Sequence, residues 1–492
     1  MPDDARPAVP SRSSRLTVFL PRSRAMAVSV VLYTADLRLH DHPPLRAASA
    51  GGRQVVPLFV RDRGVSDAGF AVPNRLAFLA DCLRDLDAGL RERGGHLVVR
   101  CGDVVEEVCR VAAEADADEV HMAADVSGYA NRRERRLRRA LAADGRQLRV
   151  HDTVTTVVAP GALTPAASDH FAVFTPYFRH WSAQQPRDAL GAPRSVRVPD
   201  GIASERLPSR AALSGVSAGL AVGGEAAARK RLGAWLRSGL AQYAERHDDL
   251  AGDATSRLSP HLHFGTLSPV ELAHRVRGAG GSGAEAFVRQ LAWRDFHRQV
   301  LAARPAAAGA DYRTRHDRWR SGRAAEEDVE AWRAGRTGYP VIDAAMRQLR
   351  HEGWMHNRGR LLTASFLTKT LYIDWRVGAR HFLDLLVDGD VADNQLNWQW
   401  VAGTGTDTRP GRVLNPVAQG RRHDPGGAYV RRWVPELAGV AGAAVHEPWK
   451  LRGADRAGAS AYPDPIVDLA DGRARFAQAR SQGGTALHIN KK

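Results

Sequence analysis

The sequence predicts a two-part fold: an α/β amino-terminal half on a five-stranded parallel, Rossmann-like sheet, and an all-α carboxyl-terminal half. Three observations predict it. Short apolar runs alternate with helical segments from Val28 to about residue 152. The rhythm then lapses through a stretch carrying Pro, Ser and Gly. From about residue 226, apolar positions recur with helical spacing. Fully apolar strands separated by helices mark a parallel sheet covered on both faces.

Taken in order, residues 1–25 (MPDDARPAVPSRSSRLTVFLPRSRA) are rich in Arg, Ser and Pro. Their one apolar piece, LTVFL, is shorter than a signal-peptide core. A disordered extension is expected, with Met26 as an alternative start of translation. Five strands follow in VSVVLYT, VVPLFV, HLVVR, EVHMAA and QLRVHD, with helices over 75–92 and 129–143. No GxGxxG follows the first strand, so the ordinary dinucleotide fingerprint is missing. The α/β unit is placed at 26–152 and a connector at 153–225. Within the connector, DHFAVFTPYFRHW is aromatic enough to pack down. A helical unit is placed at 226–470 and a short tail at 471–492. In LSPVELAHRV, Ser268 as N-cap, Pro269 at N1 and Glu271 at N3 predict a capping box. In YPVIDAAMRQLRHEGW, Val341, Ile342, Ala345, Met346 and Leu349 share a helical face, and Gly353 stops the helix.

The 492 residues carry 70 Lys+Arg against 54 Asp+Glu, a net charge of +16. Nearly all the cations are Arg, which forks onto phosphate, so a polyanionic partner is one reading. An Arg-rich genome is the other. No run reaches the roughly 18 apolar residues of a membrane span. Cys82, Cys101 and Cys109 show neither metal-ligand spacing nor an even disulfide set, which fits a reducing cytoplasm without a metal centre. There is no GxSxG, HExxH or P-loop.

Four polar-aromatic clusters lie in the helical half, where ten of the 11 Trp occur. QYAERHDDLAGDATSRLSPHLHFG sets Thr255, Ser256 and Ser259 about a helix start, suited to phosphate or to simple capping. RQLAWRDFHRQV sets Trp293 among Arg289, Arg294 and Arg298, suited to base stacking or to a core indole with a basic outer face. GWMHNRGRLLTASFL places Asn357 and Arg360 on one helix face, with Arg358 turned elsewhere. DGDVADNQLNWQW, read as one helix, makes Asp390 and Asn394 neighbours and turns Trp398 and Trp400 to different faces. Its carboxylates require buried partners.

In order along the chain, TSRLSP, LAWRDF, TGYPVIDAAMRQL, GWMHNR, DWRVGARHFLDLLVDGD, NWQWVAGTGTD and NPVAQGRRHDPGGAYVRRWVPEL resemble the photolyase/cryptochrome family. TADLRLHDHPPL and PLFVRD resemble its antenna domain. The likeness runs from about Val28 to Leu469 and is greatest to the class I, deazaflavin-type enzymes of actinobacteria.

The resemblance implies light-driven repair of cyclobutane pyrimidine dimers by an electron from excited, reduced FAD to a flipped-out dimer. It implies UV-damaged DNA as partner, a cytoplasmic monomer, and no membrane or metal. Tyr243, Thr255, Ser256, Arg257, Leu258 and Ser259 resemble the phosphate-binding residues. Asn357 resembles a flavin contact, and Arg360 with Asp388 the pair beside the ring. Asp390 resembles the Asp on the flavin edge, and Asn394 the amide facing N5. Trp398, Trp375 and Trp319 resemble the photoreduction path. Trp293 and Trp400 resemble the pair around the dimer. Arg294, Arg358 and Arg412 are candidate DNA phosphate contacts. Gln290 stands where many dimer enzymes carry Glu, which keeps a (6-4) photolyase as an alternative, and Leu361 stands where many carry Met. A cryptochrome-type receptor is disfavoured by Asn394 and the short tail. For the antenna, 8-hydroxy-5-deazaflavin is expected, with methenyltetrahydrofolate as the alternative, near Asp36, Arg38, Asp103 and His263.

Overall fold

The computed structural model describes residues 27–489, so the expected extension over 1–25 lies outside the described residues. The five expected strands are β1 (Val28–Tyr33), β2 (Gln54–Asp62), β3 (Val98–Gly102), β4 (Glu119–Ala123) and β5 (Gln147–His151). All four pairings are parallel, in the order β3-β2-β1-β4-β5. Val30, Val31, Val55, Val56, Leu58, Val98 and Val99 are fully buried, as a sheet covered on both faces requires. Helix α1 (Pro73–Arg91) and helix α2 (Gly128–Ala143) lie within two residues of their predicted bounds. The strand order reverses between β1 and β4, which opens a crevice at their carboxyl ends.

The connector is packed down along much of its length. Helix Phe174–Ser182 forms within the aromatic stretch, and Trp181 is fully buried. Asp295 of the helical half accepts from Trp181 Nε1, Val157 N and Val158 N, each at 2.9 Å. Across the join, the buried Arg38 guanidinium donates to the carbonyls of Asp41, Val154 and Gly265. Glu225 accepts from the N–H groups of Leu39 and His40.

The helical half supplies the expected helices. Ser268 caps helix α3 (Pro269–Ala279) through Val270 N and Glu271 N, but the box is half formed, because Glu271 pairs with Arg229 and Arg275 instead. The long α4 (Gly281–Ala303) follows. Helix α5 (Pro340–Glu352) buries its predicted face and stops at Gly353, whose φ of 61° is left-handed. Helices α6 (Asn357–Ser365), α7 (Trp375–Leu385) and α8 (Val391–Ala402) complete the site. The expected tail is a helix, α9 (Leu469–Ile489). It is packed because Phe476 is buried, Gly472 sits against Thr370 and Arg480 donates to the Ala402 carbonyl.

Candidate functional site

A cavity of about 490 Å³ lies between α4, α6, α7, α8 and the segment from Tyr243 to Ser259. A larger groove at Tyr339 and Trp449 is shallower, and its cations Arg421 and Lys450 are both taken by Glu447. On the lining of the first cavity, the Thr255 hydroxyl and the His297 Nε2 are left without partners.

At one end stand Tyr243, Thr255, Ser256, Arg257, Leu258 and Ser259, all lining the cavity as expected. Tyr243 is wedged edge-on between Trp235 and Phe287. Arg257 takes a φ of 52° and pairs with Asp253 and Glu352 while its guanidinium lies 4.3 Å from the Trp354 ring centre. Trp354 Nε1 donates to Ser259 Oγ at 3.1 Å. Thr255 Oγ1 is buried with no hydrogen-bond partner, a hydroxyl that needs a ligand.

Along one wall, Arg360 donates to both oxygens of Asp388, at 3.1 and 2.8 Å, and to the Met355 carbonyl. The buried carboxylate of DGD thus has its cation, as required. Asn357 and Leu361 line the same wall. Arg358, expected to turn away toward DNA, also lines it, because Asp248 holds its guanidinium.

The DGDVADNQLNWQW segment divides differently from expectation. Helix α8 starts only at Val391, with Asp390 as its N-cap, accepting from Asp393 N at 3.0 Å. Asp390 does not line the cavity. Arg298, on α4, takes its carboxylate at 2.6 Å behind the wall. Burial alone would raise that carboxyl, but Arg298, His263 and Arg294 outweigh it and hold it well below the usual range. Asn394 lies on the cavity, and its Nδ2 donates to the Ala379 carbonyl at 3.0 Å, which leaves Oδ1 as an acceptor. Trp398 and Trp400 take different faces, at 3 % exposed and half-buried.

The three indoles of the expected path share one apolar cluster. Trp398 meets Phe382 edge-on at 4.9 Å. Trp375 is fully buried and donates through Nε1 to Asp311. Trp319 is half-buried, 4.9 Å from Tyr372.

The mouth carries Gln290, exposed, and Trp293, stacked on Phe174 at 3.7 Å and 4°. In the basic row beside them, Arg294 lines the cavity with its guanidinium engaged by the protein. Arg294 is buried and donates to the carbonyls of Thr155 and Leu262, so it ties the connector to the helical half. Arg289 lies over Phe174 and Phe178. Arg412 is exposed, on the loop after α8. Sequence reasoning missed Asp248, His297, Asp393, Trp354 and Asn397 on the lining. The helical register of α8 would have found Asp393 and Asn397 once its start was known.

The expected antenna contacts are also engaged. Asp36 pairs with His42 at 2.8 Å, and Arg38 is spent on backbone carbonyls. Asp103 caps a helix and pairs with Arg136. His263 is sunk near Asp390 and Asp388, and burial pushes its pKa down to about 4. Arg133, on α2, keeps buried Nε and Nη2 atoms without partners, within reach of the fields of Asp125, Asp62 and Asp36.

Residues 29–194 match the family model described as DNA photolyase, and residues 287–482 match the FAD binding domain of DNA photolyase. A deoxyribodipyrimidine photo-lyase of Streptomyces griseus is 67 % identical over 92 % of this chain and 99 % of its own. A bacterial class III photolyase from Agrobacterium tumefaciens superposes with a TM-score of 0.87 at 32 % identity, covering 95 % of this chain and 100 % of that one. An archaeal photolyase from Sulfolobus tokodaii with two FAD molecules, described as implying a novel light-harvesting cofactor, gives 0.80 at 30 % identity, covering 92 % and 100 %.

Proposed function

The chain belongs to the DNA photolyase family, and on that premise we propose that it is a deoxyribodipyrimidine photo-lyase, repairing cyclobutane pyrimidine dimers in DNA with light. The observation that carries the reading is one wall of the cavity. Arg360–Asp388 and the oriented Asn394 amide stand on its buried side, while Trp293 and Trp400 stand at its mouth. That separates a cofactor side from a base side.

FAD fits these residues, since an unpartnered buried Thr255 hydroxyl and Ser256 and Ser259 meet a diphosphate. Bound FAD supplies the light-excited electron donor. The protein's own residues do the rest. Arg360, paired with Asp388, would stand beside the ring. Asn394 Oδ1 accepts a ring N–H because Nδ2 is already committed. Trp398, Trp375 and Trp319 lead from the cavity toward the surface through apolar packing. Trp293 and Trp400 receive the extruded bases by stacking.

A second chromophore is proposed in the α/β half at the carboxyl edge of β1 and β4. The unsatisfied Arg133 guanidinium there supports an anionic ligand, and the family resemblance favours 8-hydroxy-5-deazaflavin over methenyltetrahydrofolate. Absorbance and mass of the released chromophores identify it.

The test of the main reading is illumination of the reduced holoenzyme with DNA bearing a single thymine dimer, beside a (6-4) lesion. Dimer loss only in the light is expected. Dimers that persist with fully reduced flavin overturn it.

A further inference from the structure

Helix α8 splits the cavity lengthwise. Asn394, Trp398 and Val401 are buried, at 8 %, 3 % and 5 % exposed. Asp393, Asn397 and Trp400, each one residue earlier, are half-buried or exposed and line the mouth. Opposite them, α4 presents Gln290, Trp293 and His297 at i, i+3 and i+7, one helical face, all on the lining. Those two rows are the base side of the wall.

His297 is the unexplained member. It is 2 % exposed and lies against Trp293 and Phe296, a slot a phenyl ring would fill. Its Nδ1 is 2.8 Å from Asp393 Oδ1, and its Nε2 is buried with no partner. An unmet ring nitrogen in a wall carries a free-energy cost relative to an apolar ring. That cost is recovered when a ligand occupies the cavity. A carboxylate only accepts, so Nδ1–H donates to Asp393, and in the tautomer with that single proton Nε2 offers a lone pair. The groups facing the ring are Asp393 from α8, and Trp293 and Phe296 from its own helix. The adjacent Arg294 and Arg298 are turned to carbonyls and to Asp390.

We propose that His297 contacts the lesion, Nε2 accepting a hydrogen bond from the imide N3–H of the flipped-out pyrimidine, with Asp393 as its positioning residue. The proposal rests on the dimer-repair reading. It gives the site a second polar contact beside Gln290, which is neutral. Base discrimination then comes from an amide and an imidazole rather than from a carboxylate.

The test uses the full-length holoprotein, with flavin absorbance per chain as the check on folding. Affinity is measured by fluorescence anisotropy for a duplex with one thymine dimer and for its undamaged match. His297→Phe keeps the shape and should bind the dimer about tenfold more weakly, with the undamaged duplex unchanged. His297→Gln returns a polar atom near the Nε2 position and should recover most of the loss. Asp393→Asn should weaken dimer binding in the wild-type background and add nothing to His297→Phe. Wild-type dimer affinity in His297→Phe, or equal loss in the Phe and Gln variants, overturns the contact. Additive loss overturns the role of Asp393. A wild-type protein with no preference for the dimer removes the dimer-repair reading itself, an outcome separate from all of these.

Discussion

At the scale of single residues, buried charge decides what each polar group does. Two carboxylates of one DGD triplet have different fates: Asp388 meets Arg360 on the cavity, and Asp390 meets Arg298 behind it. The need for a cation at the first was legible from burial, and the family resemblance supplied Arg360 as that cation. The second pairing was not legible, because Arg298 lies on a helix far away in sequence and no local pattern ties the two. The Asp390 carboxyl is held below its unfolded value of about 3.9. Its stabilisation is therefore present above that value and is lost as pH falls through the folded one. Asp390→Asn should cost about 3 kcal/mol at pH 7, since Arg298 is left largely uncompensated. The gap between variant and wild type in urea melts should hold down to about pH 4 and narrow as pH drops from there toward about 2. A gap that stays constant across that range rules the pairing out as the cause.

Among the elements, strong periodicity and the Ser-Pro start of α3 were readable, and the start of α8 was not. The repeat in YPVIDAAMRQLRHEGW and its glycine stop gave α5 within a residue. The start of α8 was misplaced because Asp390 is equally at home as a cap and in a first turn. Close approach between helices was also hidden. Gly378 on α7 lies under the Trp398 indole, where an added Cβ would stand 2.2 Å from the ring carbon Cη2. Alanine would gain up to about 1 kcal/mol of helix propensity there, but overpacking of this kind costs about 1–3 kcal/mol and more when the ring cannot shift. The clash wins. Gly378→Ala should lower the melting temperature and, by displacing Trp398, slow photoreduction of the flavin. Unchanged melting and photoreduction would show that the indole has room to move.

Over the whole molecule, the charge of +16 describes two populations of arginine that composition cannot separate. One population, with Arg38, Arg75 and Arg294, is buried and binds backbone carbonyls across the joins between segments. The other, with Arg412, is exposed near the mouth. The sheet, the helical half and most of the cavity lining could be read from apolar rhythm and motif order. The division of the cations could not, because an Arg that ties a loop and an Arg that grips a phosphate have the same sequence signature. Measured against salt, DNA affinity should fall along a log–log line, and Arg412→Ala should make its slope shallower by about one unit. Arg294→Ala should leave the slope alone and lower stability instead. The reverse pattern would return Arg294 to the DNA face.

Asp295 sits on α4, the helix that carries Gln290, Trp293 and His297, and from its back it clamps Trp181 and the start of the connector. The rate at which one pigment passes excitation to another depends on their separation and on the angle between their transition dipoles. With the connector stapled to the helix that walls the flavin cavity, a pigment seated at the sheet edge keeps one distance and one angle to the ring. Optical coupling would then be a property of the fold, set once when the chain closes on Asp295.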